Sequence, residues 1–148
     1  MEDEVRVVIA TDADLVTARA EGRALAERLG FSRPDPTLIA TAISEIARNI
    51  VVHAGRGEIV LKPVTERNRY GLVVIATDSG PGLRDRDAAL RDQHSGRDGL
   101  GLGLPGARRL MDDFELRSDA DSGTIVTMTK WRMRDELARA REDRQHRD

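Results

Sequence analysis

Three groups of residues have types and spacings that suit them to chemistry. Glu45 and Asn49 lie four apart in LIATAISEIARNIVVHAG (38–55). On a helix, such a spacing stacks a carboxylate beside a carboxamide. Asp78-Ser79-Gly80-Pro81-Gly82 follows an apolar run. A carboxylate there can accept from an exocyclic amine, and the glycines let the backbone pass tight against a flat ring. Gly99, Gly101 and Gly103 alternate with leucines ahead of a short helical pattern. Alternate glycines and a helix start can turn amide N–H groups toward an anion such as a polyphosphate. Each group also has a plain structural alternative: a boundary pair on an amphipathic helix, an Asx turn leaving a strand, and a hinge. The glycine spacing matches neither the dinucleotide fingerprint nor the Walker loop.

The elements that must position these groups follow from periodicity. Ile39, Ile43, Ile46 and Ile50 form one helical stripe, with Glu45 and Asn49 on its flank and Ser44 and Arg48 on the opposite, solvated face. Val5–Ala10 reads as a strand. The helix after it carries Leu15, Ala18, Gly22, Leu25, Ala26 and Leu29, with Thr11 or Asp12 as cap and Gly30 at its end. Residues Ser32 to Pro36 form a Pro-broken loop, and Gly55 closes the central helix. Gly57–Glu66 alternates as a strand in which Pro63 suggests an edge or a bulge. Asn68 and Arg69 turn into the near-continuous apolar run Tyr70–Thr77, suited to a central strand. Arg84–Asp98 carries four Arg and four Asp and reads as a mobile loop. A short helix then runs to about Met111, and Phe114–Ser118 with Gly123–Trp131 forms a closing hairpin. The order β-α-α-β-β-loop-α-β-β predicts an α+β fold. It is a two-layer sandwich whose mixed, mostly antiparallel sheet is covered on one face by helices. Residues 1–131 make the domain. The charged extension 132–148, with six Arg against five Asp and Glu, reads as a solvated, fraying helix.

The totals remove whole classes of function. The 148 residues suit one domain; 39% are hydrophobic and 34% charged, as in soluble globular proteins. A net charge of −2 with one Trp, one Tyr and two Phe argues against nucleic acid. With no cysteine, disulfides and thiolate chemistry are excluded, and a reducing cytoplasm is the expected location. No apolar run approaches the roughly 20 residues of a membrane span, and no secretory signal is visible. His53 reads as a partly buried histidine at a helix C-terminus. His94 and His146 lack metal-ligand neighbours, so zinc is not expected.

Together the three groups resemble the GHKL superfamily of ATP-binding domains, which includes gyrase, Hsp90, histidine kinases and MutL. The shared features are a helical Glu-xxx-Asn, an Asp-x-Gly-x-Gly and a Gly-rich lid end, with Gly123-Thr124 fitting the terminal strand. SEIARNIVVHAG, DSGPGL and GLGLGLPGARRLMDDFEL look most like the small anti-sigma-type serine kinases, specifically the RsbT-type serine/threonine kinases of the bacterial stressosome. The likeness runs from about Val5 to Trp131.

This resemblance implies a Bergerat-type fold using ATP and Mg²⁺. Asn49 would bind the Mg²⁺ and Glu45 would act as general base. Asp78 would read adenine beside Gly80 and Gly82, and Thr124 would help hold an adenine-linked water. Gly99, Gly101 and Gly103 would cover the phosphates, and Arg97 could reach the γ-phosphate. It also implies STAS-domain substrates or scaffolds, and a phosphatase partner in a sigma-factor stress pathway. A nucleotide-gated anti-sigma factor that sequesters a sigma factor is the alternative. The catalytic half of a histidine kinase ranks lower, because no residues remain for a phosphoacceptor module. A ligand-free structural domain would require three ordered motifs by accident. If Arg84–Asp98 is open until an anion engages the glycines, limited proteolysis of that segment should slow when Mg-ATP is added; equal cleavage with and without it would contradict this reading.

Overall fold

A computed structural model describes residues 4–80, 103–119 and 123–133. The order is β1 (Val5–Ile9), α1 (Asp12–Arg28), α2 (Asp35–His53), β2 (Gly57–Glu66), β3 (Arg69–Asp78), α3 (Gly103–Leu110), β4 (Asp113–Asp119) and β5 (Gly123–Met133). The strands form one sheet in the order β1-β2-β3-β5-β4, and every pairing is antiparallel. The expected α+β sandwich is therefore present, and its sheet is wholly antiparallel among the described residues rather than mixed.

Alternation along the strands sends one set of side chains into the core. Val7, Ile9, Ile59, Leu61, Leu72, Val74, Ala76, Leu116, Val126 and Met128 form one cluster with residues of all three helices, Leu25, Ile43 and Ala107 among them. The residues between them point the other way, and Val8 and Ile125 are exposed there. The four isoleucines of the α2 stripe are at most 2% exposed. At roughly 1.5–3 kcal/mol for each fully buried side chain, that stripe outweighs any single surface contact in fixing how α2 sits.

Several boundaries differ from the sequence reading. α2 starts at Asp35, not Leu38, because Pro36 falls in its first turn, where a missing N–H costs nothing. The β2–β3 turn is Arg67-Asn68, since Glu66 pairs with Arg69. Pro63 makes no bulge: the β2–β3 register is continuous, and β1 pairs only as far as Leu61, so Pro63 has no partner on that side among the described residues. Arg132 and Met133, expected in the tail, extend β5 opposite Tyr70 and Arg69. The Arg132 guanidinium donates to the Leu29 carbonyl at 3.3 Å and lies 5.1 Å from the Tyr70 ring centre, tying β5 to the end of α1. His53 is exposed rather than partly buried, because the α2 stripe ends at Ile50. Arg48 is half-buried rather than solvated, and its Nε is a buried donor without a hydrogen-bond partner among the described residues. The acidic and basic segment 84–98, with His94, and the rest of the tail, with His146, lie outside the described residues.

The termini of α1 are closed by sequence-local devices. Gly30, at φ 85°, donates to the Glu27 carbonyl while Phe31 donates to Ala26, which is the Schellman arrangement. At the other end, Asp14 Oδ2 accepts from the Ala10 N–H at 2.8 Å and the Thr11 N–H at 3.0 Å. The Ala10 bond, then the Thr11 bond, holds the Asp14 carboxyl below its ordinary value of 3.8. A lowered folded value means stability that is complete above the ordinary value and lost as pH falls through the lower one. Asp14→Ala should therefore melt earlier than wild type at neutral pH. The gap should close as thermal scans are taken below about pH 4.

Candidate functional site

The site is built along α2. With its isoleucine stripe buried, its flank at Glu45 and Asn49 can meet only what packs beside the helix. That neighbour is α3, which lies against α2 with Leu104 and Ala107 in the shared core. Glu45 is only 8% exposed. Its Oε1 accepts the Gly103 N–H at 2.7 Å, a bond across 58 residues of chain. Asn49, one turn on, is half-buried. The sequence places Glu45 at a border; the structure buries it, because α3 covers that flank.

Asp78 is the last residue of β3, and cross-strand register places it directly opposite Thr124 on one side and Gly57 on the other. Thr124 in turn faces Ser118 on β4. Residues directly opposite share a face, so Ser118, Thr124 and Asp78 form one polar row at the edge of the core. The Thr124 and Ser118 hydroxyls lie 3.1 Å apart. Asp78 Oδ1 accepts the Gly80 N–H at 3.0 Å, the Asx turn foreseen as the plain alternative. The turn still leaves Oδ2 for a ligand, so the two readings are compatible.

Backbone crowds this aspartate. A Cβ on Gly80 would sit 2.6 Å from the Cβ of Ala54, the C-cap residue of α2. Gly123 is at φ 90°, and its Cβ would meet the Asp78 carbonyl oxygen. An open cavity of about 450 Å³ touches Asp78 at the strand ends, but it lies mainly on the helix-free face of the sheet, where Val8, Glu58 and Thr77 of its lining point, and not along α2. At a rise of 1.5 Å per residue, Asn49 and Glu45 lie roughly 7.5 and 13.5 Å up the α2 axis from Ala54. The Asp78–Gly80 turn beside Ala54, the Asn49 amide and the Glu45 carboxylate are thus spaced in that order along the α2 axis.

Glu45 and Gly103 are brought into contact, as are Asp78 and Gly80, and Thr124 stands opposite Asp78. Gly82, Gly99, Gly101 and Arg97 lie outside the described residues. Ser118 was missed by sequence reasoning. The signal existed: Phe114, Leu116 and Ser118 alternate on one face, as do Leu72, Val74, Ala76 and Asp78.

The residues present fit a magnesium nucleotide. Mg²⁺ prefers oxygen ligands and keeps several waters, so a single amide oxygen such as that of Asn49 suffices alongside phosphates. No group of three or more His, Cys, Asp or Glu among the described residues could cage an ion without them.

The histidine kinase-like ATPase domain family matches residues 8–130, and the chain belongs to that family. Among proteins of known role it is 47% identical over 131 residues to the serine/threonine-protein kinase RsbT of Bacillus subtilis (strain 168), covering 88% of this chain and 98% of that one. It is 34% identical over 125 residues to the serine-protein kinase RsbW of Bacillus cereus (strain AH820), covering 76% of this chain and 74% of that one. It is 32% identical over 108 residues to the anti-sigma F factor of Thermoanaerobacter sp. (strain X514), covering 66% and 74%. A solved structure of the RsbU and RsbW domains of Rv1364c from Mycobacterium tuberculosis superposes with a TM-score of 0.59 at 22% identity, over 87% of this chain and 33% of that one, and so shares the fold.

If Asp78 is the base reader, Asp78→Asn should abolish ATP binding in calorimetric titration while leaving the circular dichroism spectrum native. An amide in place of a carboxylate turns an acceptor toward the exocyclic amine into a competing donor.

Proposed function

We propose that this chain is an ATP- and Mg²⁺-dependent protein serine/threonine kinase of the cytoplasm. Its substrates would be STAS-domain scaffold or antagonist proteins. Its release from them would activate a phosphatase in a sigma-factor stress pathway. The enzyme class is supported by the identity to a serine/threonine-protein kinase over 98% of that protein's length. The observation that carries the reading is the succession along α2: Ala54 against the Asp78–Gly80 turn, then Asn49, then the buried carboxylate of Glu45. An extended nucleotide presents its base and then its phosphates in that order.

Each residue then has a defined task. Asp78 accepts from the exocyclic amine of adenine through Oδ2, since Oδ1 serves Gly80, and the Thr124 hydroxyl supports the same edge. Asn49 would hold the metal through its side-chain oxygen, and the ion would supply positive charge to neutralise the phosphates. Glu45 orients the acceptor hydroxyl and takes its proton. Little else is required, because phosphoryl transfer is mostly positioning and charge stabilisation. Glycines 80, 82, 99, 101 and 103 let backbone amides approach the ring and the phosphates.

A second reading, a nucleotide-gated anti-sigma factor, rests on the identity to an anti-sigma F factor. Offering the purified chain both a STAS-domain scaffold and a sigma factor in a pull-down separates the two. Retention of the scaffold, with label passing to it from γ-labelled ATP, is expected; retention of sigma alone would reverse the order. Glu45→Ala should spare ATP binding and lower the rate of label transfer by roughly 10²–10⁴-fold.

A further inference from the structure

The two ends of α3 are held by oppositely charged side chains from other elements. At the start, Gly103 donates its N–H to Glu45 Oε1 at 2.7 Å. At the end, Lys130 Nζ donates to the Leu110 carbonyl at 3.0 Å, and its side chain is 14% exposed. Both contacts have the sign that the helix dipole favours. α3 has no acidic residue in its own first turn, so the carboxylate there is supplied by α2. The contact is also stereochemically particular: Gly103 sits at φ 67°, a conformation that a residue with a Cβ adopts only under strain. Glu45 Oε2 has no hydrogen-bond partner among the described residues.

We propose that Gly103 is a positioning residue for phosphoryl transfer: its amide fixes Glu45 through Oε1 so that Oε2 faces the acceptor hydroxyl. This rests on the kinase reading and deepens it. In the step concerned, the acceptor oxygen bonds to the γ-phosphorus and the bond from that phosphorus to the ADP oxygen breaks. The hydroxyl proton passes to Glu45 Oε2. A carboxylate on a flexible stem has rotamers that would miss this geometry, and a charge-assisted bond to a backbone amide in a packed helix removes them. Gly103 thereby has a duty distinct from phosphate binding.

Two comparisons test this. Hydrogen exchange at the Gly103 amide, followed by NMR, should quicken about tenfold or more in Glu45→Ala, as expected for loss of a charge-assisted hydrogen bond. In Glu45→Gln, whose Oε1 still accepts, it should stay within about threefold of wild type. The kinetic comparison measures label transfer from γ-labelled Mg-ATP to a STAS-domain protein in wild type, Gly103→Ala, Glu45→Gln and the double variant. Gly103→Ala should lower kcat about tenfold or more when measured at saturating ATP, so that any weakening of nucleotide binding through the same glycine is separated from the loss of kcat. In the Glu45→Gln background it should cost nothing further, because residues acting as a unit are not additive. The proposal is overturned by unchanged exchange in Glu45→Ala. It is equally overturned by the same kcat loss in both backgrounds, or by a loss confined to ATP affinity. A wild-type chain that binds ATP yet transfers no label would defeat the kinase reading instead, and the exchange comparison would still decide whether Gly103 holds Glu45.

Discussion

The burial of one helical stripe constrains everything else in this molecule. Once Ile39, Ile43, Ile46 and Ile50 are driven into the core, α2 cannot rotate about its axis without exposing them. The flank bearing Glu45 and Asn49 is then aimed by default, and the helix end meets the turn that follows Asp78. Apolar packing thus sets the direction of polar groups that make no strong contacts of their own with the sheet. The catalytic geometry proposed here is a by-product of hydrophobic burial, which is why it can be held rigidly.

A second layer of organisation comes from α3, the short helix of eight residues that joins the Gly-rich segment to the closing hairpin. A helix of that length has almost no independent stability in water. It persists because Leu104 and Ala107 enter the core and because both ends are met by charges of the complementary sign. Those same end contacts connect three parts of the chain distant in sequence: the middle of α2, the start of α3 and the end of β5. Lys130 extends the network to Asp112, 3.7 Å away, and the Asp112 carboxylate accepts the Trp131 N–H at 2.7 Å. The hairpin that carries Thr124 and Ser118 is therefore braced against the helix that carries Gly103.

The same fold serves kinases and anti-sigma factors among the relatives, so the fold alone does not choose between them. The choice lies in what happens beside the triphosphate and on the surface offered to a protein partner. A buried carboxylate with one oxygen anchored and the other available favours a chemical step over simple sequestration.

Much of this architecture was legible in the chain itself. Helical period, strand alternation and glycine stops marked every element in order, because local patterning and the fold agree here. The Glu-xxx-Asn and Asp-x-Gly pairs declared themselves because each lies within one turn of helix or chain, where spacing alone implies adjacency. Three features were beyond such reasoning. That α3 would close over Glu45 and bury it depends on packing between segments 58 residues apart. The half-burial of Arg48 and the exposure of His53 depend on which neighbours cover each end of α2, and periodicity only says which face is apolar. The row joining Ser118, Thr124 and Asp78 exists only through the pairing order β3-β5-β4. Residue types and local spacing determined which groups could do chemistry. The tertiary structure alone decided which of them meet, because contact between distant segments depends on how whole faces are buried and no local pattern encodes it.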